Sequence, residues 1–213
     1  RTNAELREEA TSRMVQVAIR LIAEKGAARL PLVDVGREAG YSHSLPNYYF
    51  KTKKRLVVEA YRFIIVSFQS RAREWIKSHS PNWVRPGMKN IEATVRSYLG
   101  TADPIRSRAL HVMLAESLSS MPELREEVRA LNTRSLTLIA DEIRTGIRRG
   151  EISPEVDVEF LAVAILGMLR GATAQYLLEP ERVDIERLSN TIVALLRNGI
   201  ATQERPPDPA ETT

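Results

Sequence analysis

The sequence predicts an all-α protein: an N-terminal three-helix helix-turn-helix domain followed by a larger helical body. Three observations carry this. Apolar residues recur at three- and four-residue spacing along most of the 213 residues. Proline or glycine stands at the expected breaks: Gly100–Pro104, Met121–Pro122, Gly150–Pro154 and Pro180. No stretch alternates apolar and polar with period two, so no sheet is expected.

The elements follow in chain order. A first helix runs from Glu5 to Lys25, with Met14, Ala18, Leu21 and Ile22 on one face and Lys25-Gly26 as its stop. Pro31 suits the first turn of a short second helix, Leu32 to Ala39, which Gly40 ends. Ser42 is placed to cap a third helix reaching Tyr49, with Pro46 inside its first turn, where the missing N–H costs little. Thr52 caps a long fourth helix to about Lys77, carrying Leu56, Ala60, Phe63 and Ile64. Residues 78–87, with Pro81 and Pro86, read as a loop. Further helices are expected at Met88–Leu99, Pro104–Ser119, Pro122–Arg149, Pro154–Leu178 and Val183–Thr202. The stretch Gln203–Thr213 has three prolines and reads as a loose tail. The domains are thus 1–52 and 53–202, with a flexible tail at 203–213.

Composition removes several function classes. There is no cysteine, so neither a disulfide framework nor a thiolate site exists. His43, His79 and His111 are too scattered for a histidine-based zinc site, and no metal or cofactor is expected. No P-loop, GxGxxG or glycine-supported Ser-His-Asp order occurs, and the acidic stretch Glu151–Glu159 lacks the spacing of a calcium loop. An enzyme is therefore not expected. No uninterrupted apolar run reaches the roughly 18–20 residues of a membrane span. The opening RTNAELREEATSR is polar and charged, unlike a secretory signal. A cytoplasmic protein without a membrane partner is expected.

The net charge of +4 is unevenly placed. Residues 1–60 hold 11 Lys+Arg against 7 Asp+Glu, whereas residues 61–213 hold 20 of each. The whole excess lies on the small N-terminal module and calls for an acidic partner. Within that module LVDVGREAG and YSHSLPNYYF outline helix, tight turn, helix, with Gly36, Ala39 and Gly40 allowing close approach. The second helix carries His43, Ser44, Asn47, Tyr48 and Tyr49 and no acid. KTKKR follows at 51–55, four cations at a helix start where the helix dipole favours anions. A helix-turn-helix outline alone also describes a packing corner, and a basic run also describes a solvated face. Their combination points to the DNA backbone.

From Met14 to Leu56 the chain resembles the N-terminal domain of TetR/AcrR-type transcriptional regulators. Ala18, Gly26, Val35-Gly36, Ala39-Gly40-Tyr41-Ser42, Tyr49-Phe50, Lys53 and Leu56 carry the resemblance. It implies a homodimer on a pseudo-palindromic double-stranded DNA operator and a body that binds a small-molecule effector. Tyr49 and Lys53 carry over as phosphate contacts, with Lys51 and Lys54 beside them. His43, Ser44, Asn47 and Tyr48 are the candidates for base edges; Asn47 has the groups to pair with adenine. Tyr41 and Phe50 read as core. Leu30-Pro31 stands where the family has a Ser or Thr cap, Ser44 where glycine is common, and Asn47 where a phosphate-binding tyrosine is common.

The body offers a pocket and an interface. Phe68, Trp75, His79, Trp83, Met88, Tyr98, His111, Met113, Met168 and Tyr176 are the pocket candidates, aromatic, Met and His residues on an apolar background. The segment FLAVAILGMLRGATAQYLL is apolar nearly all round, so more than one side must be covered. Ala164, Gly167, Gly171 and Ala174 form a flat stripe suited to close helix approach, and Leu188, Ile192, Leu195 and Leu196 mark a face of the last helix. These residues are expected at a dimeric four-helix interface. Arg170, set in the apolar helix, needs a partner, for which an acid across the dimer is preferred to an anionic ligand. The alternative to the regulator is a helical ligand-binding or protein-interaction module with weak or no specific DNA binding.

Overall fold

The structure is a computed structural model that describes residues 2–79 and 86–200, without the side chains of Ile76 and His79. It is all-α. The helices are α1 (Asn3–Lys25), α2 (Leu32–Glu38), α3 (Leu45–Phe50), α4 (Lys53–His79), α5 (Met88–Gly100), α6 (Pro104–Ser117), α7 (Arg125–Arg148), α8 (Val158–Leu178) and α9 (Ile185–Ile200). The expected tail at 203–213 lies outside the described residues.

Local chemistry explains the boundaries. Thr2 and Glu5 close a reciprocal capping box on α1: the Glu5 amide donates to Thr2 Oγ1 at 3.2 Å and the Thr2 amide to Glu5 Oε2 at 2.8 Å. Asp103 caps α6 through the Arg106 amide at 2.8 Å, with Pro104 in the first turn. Thr52 Oγ1 accepts from the Arg55 amide at 3.2 Å, as its place before α4 predicts. Three expectations shift. Pro122–Leu124 forms a separate 3-10 turn before α7. The segment from Pro154 is not helical, because the N-cap of α8 is Asp157, whose carboxylate accepts from the Phe160 amide at 3.2 Å. α3 begins at Leu45, and Ser42 turns its hydroxyl to Ser44 (3.3 Å) instead of capping the helix.

Two apolar cores organise the packing. The first joins α1, α2 and α4 to α6, with Met14, Ile22, Leu56 and Met113 fully buried. The second joins α5, α7, α8 and α9 around Ile143, Ile165 and Leu169. The expected boundary after residue 52 falls in the turn between α3 and α4, but the first core runs across it. The N-terminal helices therefore sit on the body through α6.

One carboxylate fixes that seat. Glu116 Oε2, near the end of α6, accepts from the amides of Ala27 (2.7 Å) and Ala28 (3.1 Å), just past α1. Gly26 allows this approach: its φ is +88°, and a Cβ there would lie 2.7 Å from Glu116 Oε1. Lys53 Nζ closes the turn from the other side, donating to the Ala28 carbonyl at 2.6 Å.

Truncating Glu116 to alanine leaves two part-buried amides without their charged acceptor and is expected to cost about 2–3 kcal/mol. Gly26→Ala is expected to destabilise by a similar amount, through φ and the lost approach. Urea unfolding measures both, and an unchanged midpoint for either would contradict the role given to this contact.

Candidate nucleic-acid interface and effector cavity

α3 is held against α2 by close backbone contact. A Cβ on Gly36 would lie 2.7 Å from the Ser42 carbonyl and 3.1 Å from Pro46 Cδ, so only glycine admits this crossing. Pro46 and Phe50 are buried, fixing which face of α3 points out. That face carries Asn47 and Tyr48, and His43 and Ser44 stand in the turn just before the helix; all four are exposed, Tyr48 to 66% despite its ring. Tyr49 is half-buried, edge-on to Tyr48 with centroids 5.2 Å apart, and Arg7 lies 5.6 Å from its ring centre. Tyr41 packs against the first core and Phe50 is part of it, as expected.

The exposed face is uniformly non-acidic. From Ala39 to Val58 the chain contains no Asp or Glu. Lys51, Lys54 and Arg55 are exposed, whereas Lys53 is partly committed to the Ala28 carbonyl. Lys51 has φ +64°, the one positive value among described non-glycine residues. The turn it makes is closed by the Thr52 amide donating to the Phe50 carbonyl at 2.7 Å. Lys51 Nζ lies 5.0 Å from the Tyr48 ring centre, beside the other candidates. Pro31 stands before α2 with no side-chain cap bond, as the sequence implies.

The body contains a cavity of about 360 Å³ between α4, α5, α6, α7 and α8. Ile65, Phe68, Gln69 and Ala72 line it from α4; Asn90, Ile91, Thr94, Ser97 and Tyr98 from α5; and Leu110 from α6. Ser135, Leu138, Ile139 and Glu142 come from α7, and Ile165, Leu166, Leu169 and Arg170 from α8. Phe68 and Tyr98 stack with ring centres 5.6 Å apart and planes 4° from parallel. Burial pushes the Tyr98 hydroxyl above its ordinary pKa, an effect opposed by the charge of Arg170 and the hydrogen bond it gives.

Of the sequence candidates, Phe68 and Tyr98 line this cavity. Met113 does not, because it is fully buried in the first core. Trp75 lies against Gly100 in a shallow groove with Arg71 and Asp103. Met88 and Met168 pack with the second core, and Tyr176 lies half-buried toward the end of α8, off the cavity wall. His111 is structural: its ring nitrogens lie 2.7 Å from the Ser107 carbonyl and 3.0 Å from the Arg170 carbonyl, tying α6 to α8. The side chain of His79, and Trp83, lie outside what is described. Arg170 lines the cavity, and within the chain its guanidinium donates to Asn132 Oδ1 at 2.7 Å. The missed lining residues share a signal, the phase of each helix: 65, 68, 69 and 72 on α4, and 135, 138, 139 and 142 on α7.

A second exposed region lies on α8 and α9. Phe160 (75%), Val163 (50%), Leu178 (74%) and Leu195 (61%) are exposed. Ala164, Gly167 and Gly171 are exposed too, Ala174 is half-buried, and open space surrounds both glycines. Ile192 is 5% exposed and Leu188 half-buried; both face the second core, because α9 spends that stripe on its own body. α8 has 21 residues and is long and apolar enough by composition to cross a membrane, although Arg170 interrupts it. Among the described residues no cluster of three or more His, Asp or Glu could hold a metal ion.

Comparison with known proteins agrees with this arrangement. Residues 15–60 match the family model for bacterial regulatory proteins of the tetR family, and residues 89–210 match that for the C-terminal domain of BetI-type transcriptional repressors. The fatty acid metabolism regulator protein of Bacillus subtilis (strain 168) is 21% identical over 187 residues, covering 88% of this chain and 93% of that protein. The fold is shared with a Saccharomonospora viridis regulator solved in complex with choline (TM-score 0.76, 22% identity, 92% and 100% of the two chains). It is shared also with the regulator FadR of Bacillus subtilis in complex with stearoyl-CoA (TM-score 0.71, 22% identity, 89% and 98%). With family models matching both its DNA-reading end and most of its helical body, the chain belongs to the TetR family of bacterial transcriptional regulators.

Proposed function

We propose that this regulator is a repressor that binds a pseudo-palindromic operator as a homodimer and is released by a small apolar or amphipathic effector in the body cavity. The carrying observation is the exposed, acid-free face from Ala39 to Val58, on which His43, Ser44, Asn47 and Tyr48 adjoin Lys51, Lys54 and Arg55. The first four suit the edges of bases and the cations suit phosphates. Tyr49 and Lys53 are less available, and each adds a phosphate contact only with the part of its side chain left free. The protein acts where the DNA is, in the cytoplasm.

The apolar stripe of α8, with Leu195 of α9, supports dimerisation. It needs cover, and its small residues let a second copy approach closely. A two-fold pair would set its two α3 helices about 34–36 Å apart, one turn of DNA.

Release follows from which helices reach both ends. α4 begins beside α3 and lines the cavity with Phe68 and Gln69. α6 lines it with Leu110 and holds the α1–α2 turn with Glu116. A ligand that spreads the cavity displaces these helices and changes the spacing of the paired α3 helices.

DNA binding should weaken steeply with salt, falling about a thousandfold between 50 and 200 mM if some six phosphates are contacted. A flat salt response would favour the alternative, a ligand-binding module without DNA function. Lys51→Gly removes a strained φ and a cation, so stability should hold or rise by up to about 1 kcal/mol while affinity for every duplex drops; titration with duplexes selected from a random pool reads the second effect. Leu195→Glu together with Gly171→Glu should yield a folded monomer by light scattering. A variant that stays dimeric would move the interface elsewhere.

A further inference from the structure

Arg170 is the one arginine or lysine on the cavity wall. Its Nη1 donates to Asn132 Oδ1 at 2.7 Å, and its guanidinium also bonds the Tyr98 hydroxyl. Both partners are neutral, and no acid forms an ion pair with it among the described residues. Tyr61, only 3% exposed, lies close enough for the Arg170 charge to act on its hydroxyl, which has no hydrogen-bond partner. His111 offers nothing to a ligand, since both its ring nitrogens face main-chain carbonyls. The cavity also holds Glu142, but that carboxylate accepts from the Gly87 amide at 2.9 Å, at the positive N-terminal end of α5. The negative group is thus matched within the chain, and the positive group is not.

A half-buried guanidinium without a counter-charge is costly. It also leaves donors for a second bond beyond Asn132 and Tyr98. The cavity wall adds apolar surface from Phe68, Ile139, Leu166 and Leu169 beside the polar Gln69, Thr94 and Ser135. We infer that the cavity takes an amphipathic anion, with a carboxylate or similar acidic head on Arg170 and Tyr98 and an apolar body along α7 and α8. This rests on reading the cavity as the effector site, and it narrows the effector to an acid; a quaternary ammonium or a neutral apolar molecule would leave Arg170 uncompensated.

The test is calorimetric titration of the full chain, without DNA, with three probes of equal chain length kept below their micelle concentrations: decanoate, 1-decanol and decyltrimethylammonium. Decanoate should bind about tenfold or more tightly than the other two, the worth of one charge-assisted contact. Arg170→Met should erase that preference while 1-decanol still binds as in the natural chain, which shows that the variant retains its cavity. Arg170→Gln, which keeps polar contact to Asn132 without the charge, should do the same. Equal binding of the three, tighter binding of the ammonium, no binding of decanoate, or a preference that survives both substitutions would overturn the inference. The two readings separate because DNA is absent: decanoate held by Arg170 without release of DNA would leave the anion site standing and remove the effector role.

Discussion

The contact on which the rest of the molecule depends is the Glu116 carboxylate against the amides of Ala27 and Ala28. It joins amides and a carboxylate 89 and 88 residues apart, and adds a polar tie to the apolar packing between the DNA-reading end and the body. Three features make it work. Gly26 has the positive φ and the open side that the carboxylate needs. Lys53 holds the neighbouring Ala28 carbonyl. The first core packs α1 on α6 with Met14, Ala18, Ile22 and Met113 all fully buried. α6 and the α1–α2 turn are thus held together by direct contacts.

α6 is tied at its middle as well. His111 holds it to the Arg170 carbonyl of α8, and Leu110 forms part of the cavity wall. The helix thus touches the ligand space and the reading head within two turns. The side chain of Arg170 lines the cavity while its carbonyl holds His111, so one residue of α8 meets both the cavity and α6. That economy comes at a cost in stability.

Much of this was legible from sequence. The order of helices followed from periodicity and from Pro and Gly at their ends. The exposed, acid-free face followed from a polar second helix beside KTKKR. The rest was hidden for physical reasons. Residue type does not separate Met113, sealed in the first core, from Phe68, on the cavity wall. Helix phase separates them, but only once the neighbours of each helix are known. Ile192 and Leu195 share a helix and an apolar character, yet one faces its own core and the other solvent, because the direction of the core is a tertiary fact. The role of Glu116 has no local signal, since its donors lie 89 and 88 residues away along the chain.

The central claim is that cavity and reading head are coupled through α6. Coupling free energy is reciprocal, so the ligand must bind more weakly when DNA is bound, by the same factor by which it weakens DNA binding. The direct measurement is the affinity for decanoate with and without saturating duplex, in the natural chain and in Glu116→Gln. In the natural chain the affinity should fall by about 5- to 150-fold on the duplex, the usual range of such couplings, and Glu116→Gln should reduce that factor. Equal affinities with and without DNA in the natural chain would contradict the coupling.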